Sequence, residues 1–331
     1  MSYTSTSIFD SSTTAAQVRE IVELLGFKRC GDNLKVPNML GAYFWYEETD
    51  YRSWSGVSLE IYKHSSGQVK VDTRSTVSRS YWDLLHQNRT LKLLRDLFGG
   101  FFDTDAGRNR YWRPDEPSPP PISSGCYLAR WRLHNSLGTA RIYLMNRKFE
   151  GQIARDTPSG FAFIDQLNPR LLSNNILIPY MIAIWEEFFR ATFTACLRYS
   201  KQREAALKRA KLSHSDLEKL VIGSVQVERS VAEAFSFQRP SAITEAFKLV
   251  DPKLDIAGAL RKPYRGRKVN LYESIEELVE GRNNLVHTGE LDLRLFDKKL
   301  NTAMNDLTEA ANRAYNCIAK HYGFVPNHAY K

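Results

Sequence analysis

Cysteine is scarce in this chain and scattered. Cys30, Cys126, Cys196 and Cys317 include no C-x-x-C pair, and no histidine stands at zinc-finger distance from any of them. That spacing excludes a disulfide framework and a cysteine zinc site, and a reducing, cytoplasmic setting is expected. None of His64, His86, His134, His214, His321 and His328 has the H-x3-H spacing that builds a metal site with a carboxylate. A P-loop, a dinucleotide fingerprint and a nucleophile elbow are also missing, so neither cofactor nor metal is expected. The opening MSYTSTSIFD lacks a basic region followed by an apolar one, and no signal peptide is expected. The most apolar run, Ile176 to Trp185, is interrupted by Pro179 and followed by Glu186 and Glu187, which reads as a buried helix rather than a membrane span.

What is present is the material of two ordinary domains. With 331 residues, 43% hydrophobic, 25% charged and 12% aromatic, the chain has enough apolar content for two cores. The net charge of +9 gives a positive field that attracts polyanions, nucleic acid first among them. Part of that charge, the run Lys201, Arg203, Lys208, Arg209 and Lys211, also reads as a solvated helix face.

Hydrophobic periodicity divides the chain. Ala15, Val18, Ile21, Val22 and Leu25 have helical spacing, with Ser/Thr before them and Gly26 after. Strands are predicted at Ala42 to Tyr46, Val57 to Lys63 and Val69 to Thr73, the last two joined by a turn at HSSG. A helix from Tyr81 to Phe98 stops at Gly99-Gly100, and a Pro/Ser-rich stretch from Arg113 to Gly125 reads as a loop within one domain, with a domain boundary there as the alternative. Cys126 to Leu133 and Thr139 to Met145 read as two further strands around HNSLG. From Asn168 the pattern is helical, in segments near 170–200, 213–237, 240–261, 271–287 and 291–322. The expected class is therefore α+β. An N-terminal antiparallel-sheet domain over 1–160 precedes an all-α bundle over 168–331, with the boundary near Pro158 to Pro169.

One segment of the bundle carries chemistry. On the helix from Leu271, the residues Leu271, Ile275, Leu278, Val279, Leu285 and Val286 form an apolar stripe, and Arg282 falls in its middle. A guanidinium there needs a partner: a carboxylate, an RNA phosphate or another subunit. His287 follows five positions on, before Thr288-Gly289, and an ideal helix turns it about 140° away from Arg282. The two converge only through a loosened last turn or a second copy.

The segment E-G-R-N-N-L-V-H-T-G, within an all-α context over roughly 168–325, resembles the R-x4-6-H signature of the HEPN superfamily, with Asn283 as the polar residue after the arginine. The resemblance implies a metal-independent endoribonuclease, a homodimer with its motifs paired at one cleft, and RNA as substrate. It assigns Arg282 to the phosphate, His287 to proton transfer in 2′-OH attack giving a 2′,3′-cyclic phosphate, and Asn283 to orienting the phosphate. By the same analogy Glu186, in IWEEFF, holds Arg282 or His287. Thr288-Gly289 stands where adenylylation-controlled members of the family carry a tyrosine two places after the histidine, a departure from that subtype. The two-domain layout resembles abortive-infection and anti-phage effectors in which an N-terminal domain senses a trigger, here unknown, and restrains the nuclease.

Other readings stay open at this point. Arg282 and His287 are also residues that cap helix carbonyls, and the bundle can be a non-catalytic RNA- or nucleotide-binding adaptor. Asp103, Asp105 and Gly107 loosely match the start of a calcium loop but read better as a turn, and Gly99-Gly100 with Arg108, Asn109 and Arg110 can instead form a ligand-contacting loop. Glu60 and Asp72 are the carboxylates of a conceivable metal nuclease. Tyr43, Phe44, Trp45, Tyr46, Tyr81, Trp82, Tyr111 and Trp112, interleaved with arginines, read as sheet core and rim or as a stacking surface for single-stranded nucleic acid.

Overall fold

The computed structural model describes residues 2–31, 36–47, 50–114, 117–147 and 154–327. The class is α+β, as expected, in two compact units that divide between Ser124 and Gly125.

The first unit runs β1 (Tyr3–Ile8), α1 (Ala15–Leu24), β2 (Lys28–Arg29), β3 (Met39–Trp45), β4 (Val57–Lys63), β5 (Val69–Ser75), α2 (Tyr81–Phe98), β6 (Phe101–Thr104) and β7 (Gly107–Arg108). Its strands form one antiparallel seven-stranded sheet in the order β2-β3-β4-β5-β1-β6-β7. Val57, Leu59 and Ile61 alternate with more exposed Ser58 and Glu60, and Val69, Val71 and Thr73 do the same on β5. This period of two turns one sheet face inward, against Val18 and Val22 of α1 and Leu94 of α2. Both helices start on capping boxes, Thr14 with Gln17 and Ser80 with Asp83.

The predicted strands and helices of this unit are present, and the HSSG turn closes the β4–β5 hairpin through Gly67 N–H to His64 C=O (2.9 Å). Sequence reasoning missed β1, β2, β6 and β7. The serine- and threonine-rich β1 shows no apolar alternation, yet it sits inside the sheet between β5 and β6. Gly99-Gly100 serves this packing: Gly100 has φ 73°, and a Cβ there would stand 2.1 Å from the Ile8 carbonyl oxygen.

The second unit contains α3 (Pro121–Asn146), whose first turn precedes the division, then α4 (Ala162–Asp165), α5 (Pro169–Tyr199), α6 (Glu204–Arg209), α7 (His214–Val221), α8 (Val227–Glu233), α9 (Pro240–Val250), α10 (Ile256–Arg261), α11 (Leu271–Thr288) and α12 (Asp297–Tyr322). The sequence reading of Cys126 to Leu133 and Thr139 to Met145 as strands is thus corrected to one continuous helix. Its N-terminal turns are buried all round, and beyond Arg130 the buried residues Leu133, Leu137 and Ala140 recur at intervals of three and four, the period of 3.6 rather than of two. The compact division accordingly falls at the end of the first turn of this helix, between Ser124 and Gly125, instead of near Pro158 to Pro169. The segments 213–237 and 240–261 each break into two short helices, α7 with α8 and α9 with α10.

The core of the helical unit is aromatic: Trp185, Phe188, Phe189 and Phe193 of α5 meet Phe237 and Phe247. A buried polar network ties three segments together. Arg147, just past α3, forms an ion pair with Asp297 at the start of α12 and donates to Asn174 (2.7 Å) and Ser173 (2.8 Å) of α5. Burial alone would raise the Asp297 pKa, but hydrogen bonds from Arg147 and Asn174 outweigh it and hold the carboxyl below its ordinary value.

The helical reading of α3 has a direct test. Asn135 lies in the segment HNSLG, and proline there removes an intrahelical hydrogen bond, so Asn135→Pro should cost about 3 kcal/mol in urea denaturation, with Asn135→Ala close to neutral. Equal stabilities for the two variants would be the behaviour of a turn.

Candidate functional site

α11 begins on a capping box, Asn270 with Glu273, and ends at Gly289 in the left-handed conformation (φ 73°), whose N–H bonds the Leu285 carbonyl (2.9 Å). Between these caps the helix is unbroken through Thr288. Its buried residues are Leu271, Ile275 and Val279, and the burial runs out after them. Arg282 is half-buried, Leu285 likewise, and Val286 is 50% exposed.

Arg282 is held by its neighbour: Nη1 donates to Asn283 Oδ1 (2.9 Å), while Nε is buried with no hydrogen-bond partner. No described carboxylate forms an ion pair with it. The structure thus brings Arg282 and Asn283 together and leaves the guanidinium short of a counter-charge. His287 is exposed and makes no hydrogen bond or ion pair with a described residue. Because α11 stays helical through Thr288, the last turn does not loosen. His287 therefore projects about 140° around the axis from Arg282 within one chain.

Glu186 is not the partner of either residue. It accepts from Arg190 Nη2 (2.5 Å) and from Gln238 Nε2 (3.1 Å). The adjacent Glu187 binds Arg229 and Arg190; burial raises its pKa, but the two guanidinium groups outweigh that and hold it below the usual range. The i, i+4 spacing of Glu186 and Arg190 is the reason: the helix supplies a nearer cation.

Sequence reasoning gave no sign of what anchors the segment after the motif. Asn175, buried in α5, donates to Asp292 C=O (3.2 Å) and accepts from Asp292 N–H (2.9 Å), while Asn174 donates to Leu295 C=O (2.7 Å). These bonds fix the chain within a few residues of Gly289. A cleft of about 230 Å³ beside them is lined by Asn175, Ile178, Leu278, Gly281, Leu285 and Asp306 among others, and neither Arg282 nor His287 lines it.

The N-terminal candidates resolve as structure. Asp103 pairs with Arg108 across the β6–β7 hairpin (3.3 Å), and the Thr104 hydroxyl closes its turn onto the Gly107 and Arg110 carbonyls. Glu60 and Asp72 are direct cross-strand neighbours, each already engaged: Glu60 by Tyr62 Oη (2.6 Å), Asp72 by Thr6 (2.7 Å) and Lys70 (2.8 Å). Among the described residues no cluster of three His, Cys, Asp or Glu is placed to hold a metal ion, and no helix is long and apolar enough to cross a membrane. Tyr43 and Trp112 are buried, Tyr3 stacks on Trp112 (5.2 Å), and only Phe44 and Tyr46 of the aromatic run are clearly exposed. The run Lys201 to Lys211 is an exposed face carrying the Lys208–Glu204 pair.

His86 is the perturbed histidine of this unit. Its ring stacks on Trp45 with centroids 3.7 Å apart, and Nε2 is buried without a partner. Burial, assisted by Arg89, lowers its pKa from 6.5 to about 4. The unfolded chain thus takes up this proton before the folded one, so stability falls as pH drops from 6.5 towards 4, by up to about 3 kcal/mol. His86→Phe keeps a ring against Trp45 and should flatten the difference between denaturation midpoints at pH 7 and pH 5; an unchanged difference would assign the acid sensitivity elsewhere. No protein-family model matches the chain, and no curated protein or solved structure matches it either.

Proposed function

We propose that the protein is a metal-independent endoribonuclease whose site is assembled from Arg282, Asn283 and His287 of two copies of the chain. The observation that carries this reading is the half-buried Arg282 guanidinium, which binds Asn283 and has no carboxylate partner among the described residues. Burial strengthens a cation's attraction to an incoming anion, and a planar guanidinium suits the oxygens of a phosphodiester. His287, exposed on the same helix, is open to solvent and substrate.

In the proposed reaction the ribose 2′-oxygen attacks phosphorus as the bond to the 5′-oxygen breaks. An imidazole accepts the 2′-hydroxyl proton or donates one to the leaving oxygen, leaving a 2′,3′-cyclic phosphate and a 5′-hydroxyl. Arg282 stabilises the charge on the phosphoryl oxygens, and Asn283 orients the arginine. Because the two side chains diverge on an intact helix, Arg282 of one copy works with His287 of another. The half-exposed Val286, on the stripe that carries Arg282, is apolar surface for such an association. A role in anti-phage defence under control of the first unit belongs to the same proposal and rests on the resemblance alone.

Incubation with total RNA and excess chelator tests the chemistry. Wild type should release fragments with cyclic-phosphate ends, and Arg282→Ala and His287→Ala, folded as judged by circular dichroism, should each lose at least ~100-fold in rate. Variants that cut as wild type does, or activity abolished by chelator, would refute the assignment.

A further inference from the structure

A cleft of the helical unit lies away from the motif residues, between α10 and α12. It measures about 890 Å³, and Lys253, Lys262, Arg313 and Lys320 supply its cations, with His321 and the acidic Asp255 also among its lining residues. Asp255 is committed to the Gly258 N–H at the start of α10 (2.8 Å), and His321 is paired with Asp251 (2.7 Å). Arg313 is occupied by Glu309 and by the Lys262 and Pro263 carbonyls. The three lysines differ: the ammonium groups of Lys253, Lys262 and Lys320 make no hydrogen bond or ion pair with a described residue. They come from three segments, the α9–α10 connection, the end of α10 and α12, so the fold converges three lysine cations on one groove, of which Lys253 also feels the nearby Asp251 carboxylate.

The groove continues into the most basic stretch of the sequence, RKPYRGRK at 261–268, with five cations in eight residues. Arg267 is neutralised there by a two-pronged pair with Asp306. Arg261 and Arg265 instead lie over the rings of Tyr272 (4.2 Å) and Tyr264 (5.0 Å), and neither meets a carboxylate among the described residues. A guanidinium lying over a ring is held in place while its N–H edge stays open to acceptors.

We infer that this groove and the adjoining 261–268 loop bind the phosphodiester backbone of single-stranded RNA. Spread cations match a chain of phosphates better than a single compact anion, and a strand lying along them would release counterions at several points. A free nucleotide polyphosphate presents the same phosphate chemistry, and the experiment separates the two. The inference does not depend on Arg282 or His287, so it can fail while cleavage stands, or stand while cleavage fails.

The test measures binding of the full chain to a fluorescent 2′-O-methyl oligoribonucleotide of about 12 nucleotides, which lacks the 2′-hydroxyl needed for cutting. Combined Lys253→Gln, Lys262→Gln and Lys320→Gln should weaken binding at least ~10-fold near 0.1 M salt, and should lower the magnitude of the log K against log salt slope by about 2. A control triple, Lys201→Gln, Lys211→Gln and Lys219→Gln, removes the same charge from exposed positions and should change affinity less than ~2-fold. Equal losses in the two triples, or none in the groove triple, would overturn the proposal. So would ATP binding that depends on the groove lysines with no oligonucleotide binding, since the occupant would then be a nucleotide.

Discussion

The constraint on which the motif depends is the unbroken helicity of α11 up to its left-handed glycine cap. Gly289 terminates the helix through the Leu285 carbonyl, and the chain beyond it is fastened by Asn175 and Asn174 from within α5. A typical intramolecular hydrogen bond contributes about 0.5–1.5 kcal/mol net, so unwinding the last turn to swing His287 towards Arg282 carries a penalty at each broken bond. Within one chain the two side chains therefore stay on divergent faces. Any chemistry that uses both on one phosphate has to draw on two chains, and the pairing of copies becomes part of the proposed mechanism.

The distribution of partners gives the charges their meaning. Glu186, Glu187, Asp297 and Asp306 are each engaged by arginines of the same unit. Arg282, Arg261, Lys262 and Lys320 have no carboxylate of their own among the described residues, and Lys253 shares Asp251 with His321. The net charge of +9 is thus the residue of an accounting in which acids are consumed internally and selected cations are left over. In the proposed reading those cations are where an anionic strand is met.

Much of this was legible before the coordinates. The Ser/Thr cap before α1, the β4–β5 alternation and the position of Arg282 on an apolar stripe are all read from the sequence, whereas the capping boxes at Ser80 and Asn270 are found only in the structure. α3 was misread because short runs such as Cys126 to Leu133 fit a period of two about as well as one of 3.6, and only the continuous burial through Leu137 and Ala140 decides between them. β1 escaped because its inward residues are Ser5 and Ser7, which hydrogen-bond or pack within the sheet rather than announce themselves as apolar. At the motif, Arg282 and Asn283 were found together, whereas Glu186 was assigned by analogy and is held by a cation one turn away on its own helix. The anchoring role of Asn175 has no sequence signature, since a buried asparagine and a solvent-facing one are spelled alike. The basic run at 261–268 was the available signal for the groove, and it becomes specific only when α12 brings Lys320 beside it.

The claim that one site draws on two chains is tested most directly by mixing inactive partners. When Arg282→Ala and His287→Ala proteins are unfolded together and refolded, half the dimers are mixed. Each mixed dimer keeps one site with an intact arginine and an intact histidine from different copies. The account predicts that RNA cleavage returns to about a quarter of the wild-type rate in the mixture while each variant alone stays inactive. A mixture as inactive as its components, beside a wild type that cleaves as a monomer, would contradict it.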